Sequence, residues 1–276
     1  GEGESAMAPP IRLPAVAGRF YPRDPDDLRA EVESYLLPPQ KTVPALGCVV
    51  PHAGYMYSGH VAGAVYARLD VPQRSIVMCP NHTGMGIPLS IMSEGAWQTP
   101  LGPVSIDSRL ASDLKQRFPP LGEDTEAHRA EHGAEVQLPF LQVKNPGCSF
   151  VPIALGTSQY ELLQGLGEAI AEVVQASGER VLLIASSDMN HYENDTITRV
   201  KDQKAIERIL VMDARGLFDV VMNEDISMCG FGPTVAMLTA ARRLDAGRAE
   251  LARYATSGDV SGDRERVVGY AGILVR

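Results

Sequence analysis

Four short stretches of this 276-residue chain are apolar at almost every position: Gly47–Val50, Ser75–Cys79, Cys148–Ala154 and Val181–Ala185. A strand with one wet face alternates apolar and polar residues, so an unbroken apolar run of this length predicts a strand covered on both faces. Helical periodicity lies between the runs. Residues 24–37 place Leu28, Val32 and Leu36 on one side, and residues 161–174 do the same with Leu162, Leu166, Ile170 and Val174. Further helices are expected over 59–69, from Asp107, and over 199–211, 213–223 and 233–244, with a weaker strand at 104–106 and two more strands at 251–255 and 267–275. Strands alternating with helices predict an α/β fold: one domain with a central, mainly parallel or mixed sheet flanked by helices.

The rest of the composition narrows the function. Hydrophobic residues make up 45% and charged residues 21%, the mix of a globular chain with a full core. No apolar run reaches the ~18–20 residues of a membrane span. A net charge of −9 argues against a nucleic-acid partner, because phosphate contacts want a basic surface. Gly1 to Ala6, ahead of Met7, look like an appended tag. The domain is expected over residues 11–276, with residues 1–10 a disordered start. Cys48, Cys79, Cys148 and Cys229 are widely spaced, which predicts free thiols and a reducing, cytoplasmic location. Cys48 and Cys79, inside apolar runs, are expected in the core.

Three of the apolar runs end in turns rich in polar chemistry: Pro51-His52-Ala53-Gly54-Tyr55, Pro80-Asn81-His82-Thr83-Gly84 and Ser186-Ser187-Asp188-Met189-Asn190-His191. Ligands of open α/β sheets bind outside the carboxyl ends of the strands. His52, His82, Asp188 and His191 are therefore expected around one cleft, and imidazole is a good ligand for zinc, iron or copper. A lone histidine in a turn is more often structural; three at one edge favour a metal site. Cys229 lies in Ser227-Met228-Cys229-Gly230-Phe231-Gly232-Pro233, just ahead of an expected helix, whose N-terminus favours a thiolate. His128-Arg129-Ala130-Glu131-His132 matches the H-x-x-E-H pattern of inverted zinc proteases. Gly133 and the acidic surroundings argue that the match is accidental. His128 is then expected to be exposed, while His132 and Glu135 turn together to the cleft, unless the segment is merely a solvated acidic helix start. Trp97, Tyr55 and Tyr57 line a pocket or pack the rim. No dinucleotide fingerprint, P-loop or G-x-S-x-G elbow is present, and Ser186-Ser187 near a histidine suggests a serine hydrolase only weakly.

Together, Pro51-His52-Ala53-Gly54-Tyr55, Asn81-His82, Glu131-His132-x-x-Glu135-x-x-Leu138-Pro139, Ser186-Ser187-Asp188-x-x-His191 and Met228-Cys229-Gly230 resemble the Memo family, named for mediator of ErbB2-driven cell motility. The opening from Pro14 to Pro22 is similar to that of its prokaryotic members, and the resemblance runs from about residue 11 to the end. It implies a fold like that of class III extradiol dioxygenases, which are non-heme Fe(II) enzymes. It also implies metal ligands His52, His82 and Cys229, with Asp188, His191 and His132 as catalytic neighbours. His191 would act as acid or base, and Asp188 would orient it or a bound water. A cysteine stands where the dioxygenases place a glutamate, and thiolate, the softer donor, shifts metal preference and redox potential.

The reading that follows is a metal-dependent oxidoreductase holding iron (Fe2+), with copper next and zinc after it. Its partner is a small-molecule or peptide ligand in the cleft, without nucleic acid or membrane. The resemblance adds a functional link to a radical SAM protein. Two other readings compete: a non-enzymatic peptide- or anion-binding module using the same cleft, and a zinc-type metallohydrolase.

Overall fold

The computed structural model describes residues 8–276; the tag-like start, as far as residue 7, lies outside them. The four apolar runs form adjacent parallel strands at the centre of a nine-stranded mixed sheet: Gly47–Val50, Val181–Ser186, Arg74–Pro80 and Ser149–Leu155, in that spatial order. Val267–Val275 flanks them antiparallel beside Gly47–Val50, and Leu89–Ile91 antiparallel beside Ser149–Leu155. Ala249–Thr256 and His191–Glu193 both pair with Val267–Val275, while Gly122–Glu123 closes the opposite edge. A small second sheet joins Ile11–Arg12, Ala96–Thr99 and Gly102–Ser105.

The unbroken apolar runs follow from burial on both faces. Val49, Ile76, Met78, Leu183 and Ala185 point into one core with helices Ser108–Arg117, Tyr160–Ser177, Asp195–Leu210, Ala214–Asn223 and Phe231–Arg243. Their alternates Cys48, Val50, Val77, Cys79, Leu182 and Ile184 point into another, with Pro25–Tyr35, Tyr55–Tyr66 and Leu138–Lys144. Successive strand residues face opposite ways, so a strand between two helical layers has no position left for water. Cys48 and Cys79 are core residues, as expected.

Asp24, Asp107, Asn194 and Asp213 cap their helices by accepting a backbone N–H from the first turn. The helix expected from Gly59 begins at Tyr55, because the His52 turn feeds straight into it. Residues 126–135, read as one acidic segment, break into two short helices, Glu126–Arg129 and His132–Glu135, and Leu138–Lys144 follows as a third. No described helix is long and apolar enough to cross a membrane.

Register fixes where the turns end up. Val50 pairs with Ser186, and Met78 with Ala185, so the strand ends are level. His52, His82 and Asp188 each stand two residues beyond their strand's last residue. The strand runs alone therefore deliver all three to one edge.

Candidate metal centre

His52, His82 and His132 bring a ring nitrogen each to within 4.8 Å of one another. The His82 and His132 rings stack with centroids 4.6 Å apart, and His52 meets them edge-on at 4.9 and 5.3 Å. Phe20 covers the outer side of His132.

The hydrogen bonds behind these rings decide which nitrogens remain free. Ser186 Oγ donates its one proton to Gly133 O at 2.6 Å and accepts Gln137 Nε2 at 2.9 Å. His52 Nδ1, 2.9 Å from the same oxygen, must then be the donor, which leaves Nε2 as a bare lone pair. Gln137 is held in turn, donating to Pro51 O and accepting from Tyr66 Oη. Burial, with the charge of His82 behind it, lowers the His52 pKa to about 3, so the ring is neutral. His82 Nδ1 meets Glu131 Oε2 at 2.7 Å. Glu131 is fully buried. Burial works to raise its carboxyl, but hydrogen bonds from the His82 ring, Gly133 N and His82 N outweigh it and hold the pKa down to about 2. A permanent carboxylate thus keeps a proton on His82 Nδ1 and aims Nε2 away from itself. Burial and the two neighbouring histidines lower the His132 pKa to about 4. His52 and His132 thus resist protonation, while at His82 burial, which lowers the pKa, is outweighed by the Glu131 hydrogen bond and charge, which raise it. Three imidazoles beside a fixed anion suit a cation, and the donor set fits a transition metal.

Cys229 stands beside this group, its Sγ 3.3 Å from His52 Nε2 and 3.4 Å from Asp188 N, which donates to it. The helix N-terminus does not depress its pKa as expected. Burial, then the Asp188 charge, pushes the thiol up. Gly230 allows the approach: a Cβ there would lie 2.3 Å from Ser187 Cβ. Gly133 does the same for the His132 turn, where a Cβ would lie 2.7 Å from Cys79 Cβ.

Asp188 and His191 sit in the same cleft, but not as a pair. Asp188 Oδ1 accepts the His52 backbone N–H at 2.8 Å, so this carboxylate shapes the His52 turn and does not orient His191. Ser227 does that work: its Oγ accepts His191 N at 2.7 Å and its carbonyl lies 2.8 Å from His191 Nδ1. A carbonyl only accepts, so Nδ1 carries the proton and Nε2 is free. Beside them a depression of about 470 Å³ opens between His191, Cys229, Met222, Ile226, Met228 and Phe231.

Other expectations are corrected. His128 is fully buried, not exposed; its ring lies against Trp97, and Nε2 reaches Ser90 O at 3.3 Å. It does not belong to the gathered histidines, because a helix break separates it from His132. Glu135 does not face the cleft with His132. It is buried against Arg12, Ala15 N, Val16 N and Tyr21 Oη, and ties down the chain's first segment. The segment is thus no solvated helix start. Trp97 is a buried packing residue, while Tyr55, buried, and Tyr57, exposed, line a depression of about 210 Å³ as expected. Ser186 has no free proton and is no nucleophile. Glu131, Ser186 and Gln137 were not foreseen as supports of the histidines. The carboxylate directly before His132 was the available signal.

Comparison with known proteins agrees with this architecture. The Memo-like protein family model matches residues 12–274. A MEMO1 family protein of Methanopyrus kandleri is 43% identical over 96% of this chain and 99% of its own. One from Methanosarcina barkeri is 44% identical over 96% of this chain and 100% of its own. The crystal structure of an uncharacterized protein from Escherichia coli K12 superposes with a TM-score of 0.57 at 13% identity, over 82% of this chain and 98% of that one, a likeness of fold. With its sheet, its strand-end histidines and these relatives, the chain belongs to the Memo family.

Proposed function

We propose that the cleft holds one redox-active metal ion and that the protein is a metal-dependent oxidoreductase. The observation that carries this is the trio of gathered imidazoles, two of which have their Nδ1 protons committed to Ser186 and Glu131. His52 and His82 are the ligands so prepared. Cys229 is the third, as the family resemblance implies, with His132 its competitor for the position. Iron fits two imidazoles plus one anionic donor; copper gains as the thiolate takes part, and zinc follows. Such an ion supplies one-electron chemistry and Lewis acidity. The chain's own contributions are separate from it. His191 Nε2 exchanges a proton with the ligand, and the depression beside Cys229 receives a small molecule or peptide end. The four free cysteines fit a reducing, cytoplasmic setting.

Metal analysis of protein purified without oxygen tests the reading. Iron or copper near one per chain is expected, with His52→Ala and His82→Ala metal-free. Cys229→Ser should lose a soft or borderline ion while keeping its fold. Cys79→Ser should keep the metal and lose stability. If Cys229→Ser binds metal like the parent and His132→Ala does not, His132 is the third ligand. Zinc alone, with no oxygen uptake on any substrate, would favour the hydrolase.

A further inference from the structure

Asn190 stands directly before His191 and is fully buried, yet every polar group it carries is used. Its amide oxygen lies 3.0 Å from both Ser227 N and Ser227 Oγ, and its Nδ2 lies 3.1 Å from Glu193 Oε1 and 3.4 Å from Thr198 Oγ1. A backbone N–H only donates and a carboxylate only accepts, so the amide can face one way alone. Asn190 N donates to Asp202 Oδ1 at 2.8 Å, and Asn190 O accepts from Gly269 N. The residue is thereby fixed to helix Asp195–Leu210 and to strand Val267–Val275 at once.

That orientation passes to Ser227 and from there to His191. Asn190 Oδ1 accepts the Ser227 hydroxyl proton, which leaves Ser227 Oγ an acceptor for His191 N at 2.7 Å. The Ser227 carbonyl, placed by the same bonds, takes the Nδ1 proton at 2.8 Å. The His191 Nε2 lone pair is what remains for the depression that His191 and Cys229 line. Close by on both segments, the backbone is held in a conformation that side chains avoid: Tyr192 has a φ of +62° and Asp225 one of +51°. Such strain persists only where neighbours over-determine it, and it collects at functional sites. Lys201 is one of those neighbours, bonded to Asp225 O at 2.9 Å and to Glu193 Oε1 at 2.6 Å.

We propose that Asn190 is the positioning residue of His191: by fixing the Ser227 hydroxyl and carbonyl it keeps the imidazole in the Nδ1–H form, with Nε2 a lone pair ready to take a proton from the ligand. A neutral imidazole left to itself favours the opposite, Nε2–H form, which would present a donor to the depression in place of an acceptor. A buried amide whose every group is bonded is suited to impose that choice, because no rotation of it can keep the same partners. The inference rests on His191 being the proton-exchanging group of the cleft, but it involves no metal and no change of charge.

Nitrogen-15 NMR of histidine-labelled, metal-free protein well above neutral pH tests it, with His191→Gln identifying the His191 signals. The parent should show His191 as Nδ1–H. In Asn190→Ala the ratio of Nδ1–H to Nε2–H should fall about fivefold, the scale of one lost neutral hydrogen bond. Ser227→Ala should move the ratio the same way; the position is exposed, so this variant decides the matter if Asn190→Ala does not fold. Thr198→Val removes a partner of Nδ2 and none of Oδ1, so it should lower the thermal midpoint and leave the ratio unchanged. A parent in the Nε2–H form overturns the proposal. So does a parental ratio in Asn190→Ala or in Ser227→Ala, or a fall in Thr198→Val as large as in Asn190→Ala, which would make lost stability the cause. The tautomer is read without metal or turnover, so an absence of oxidoreductase activity would count against the proposed function alone.

Discussion

Replacing Glu131 with Gln asks whether the histidines are prepared for a metal by what stands behind them. Glu131 Oε1 accepts the His82 backbone N–H, and Oε2 accepts His82 Nδ1 at 2.7 Å and Gly133 N at 2.8 Å. An amide has one oxygen, so in either orientation its NH2 meets a donor. Turned toward the ring, it forces the His82 proton onto Nε2, where a metal needs the lone pair. The fall of the carboxyl from its ordinary 4.5 to about 2 corresponds to about 3 kcal/mol. The raised pKa of His82 is the other side of the same ion pair and is not counted again. A depressed carboxylate stabilises fully above its unfolded pKa and loses that contribution as pH falls toward the folded value. The parent should therefore exceed Glu131→Gln by about 3 kcal/mol at neutral pH in urea unfolding, and the gap should close between about pH 4.5 and pH 2. Chelator competition should show metal affinity lower by roughly 10–100-fold. A variant that binds metal as tightly as the parent would refute the argument that Glu131 sets the His82 tautomer, whatever its stability.

Burial raises Asp202 from 3.8 to about 7, so its stabilising contribution is present at low pH and lost as pH rises through 7; Asp202→Asn, which can still meet Asn190 N and Tyr254 Oη, should gain roughly 1–4 kcal/mol near pH 8 in urea unfolding and nothing near pH 4. Arg12 joins buried Glu135 to the carbonyls of His128 and Glu131, so Arg12→Ala should cost about 3–5 kcal/mol by thermal or urea unfolding; a loss under ~1 kcal/mol would mean that water replaces it. Gly133→Ala should cost about 1–3 kcal/mol by pressing on Cys79, and chelator competition should show weaker metal binding because the Glu131–His132 turn must move.

Much of the layout was legible in one dimension. Apolar runs without polar alternation mean strands covered on both faces, and a run that stops at His52, at His82 or before Asp188 puts those residues at the strand ends. Strand direction and level ends then need only the sheet to be parallel there. The supports of the site were not legible, because each joins residues far apart in the chain. Ser186 meets Gly133 and His52, and Glu131 meets His82. No local period or spacing encodes such contacts. Glu131, Glu135 and His128 share one acidic stretch of sequence, where local pattern exposes His128 and turns Glu135 to the cleft with His132, or leaves the whole stretch solvated. Helix breaks after Arg129 and Glu135 send Glu131 to His82, Glu135 to Arg12 and His128 to Trp97, each into a buried partner. A charge enters a protein interior only when a partner meets it there, and which partner does so is decided by tertiary packing.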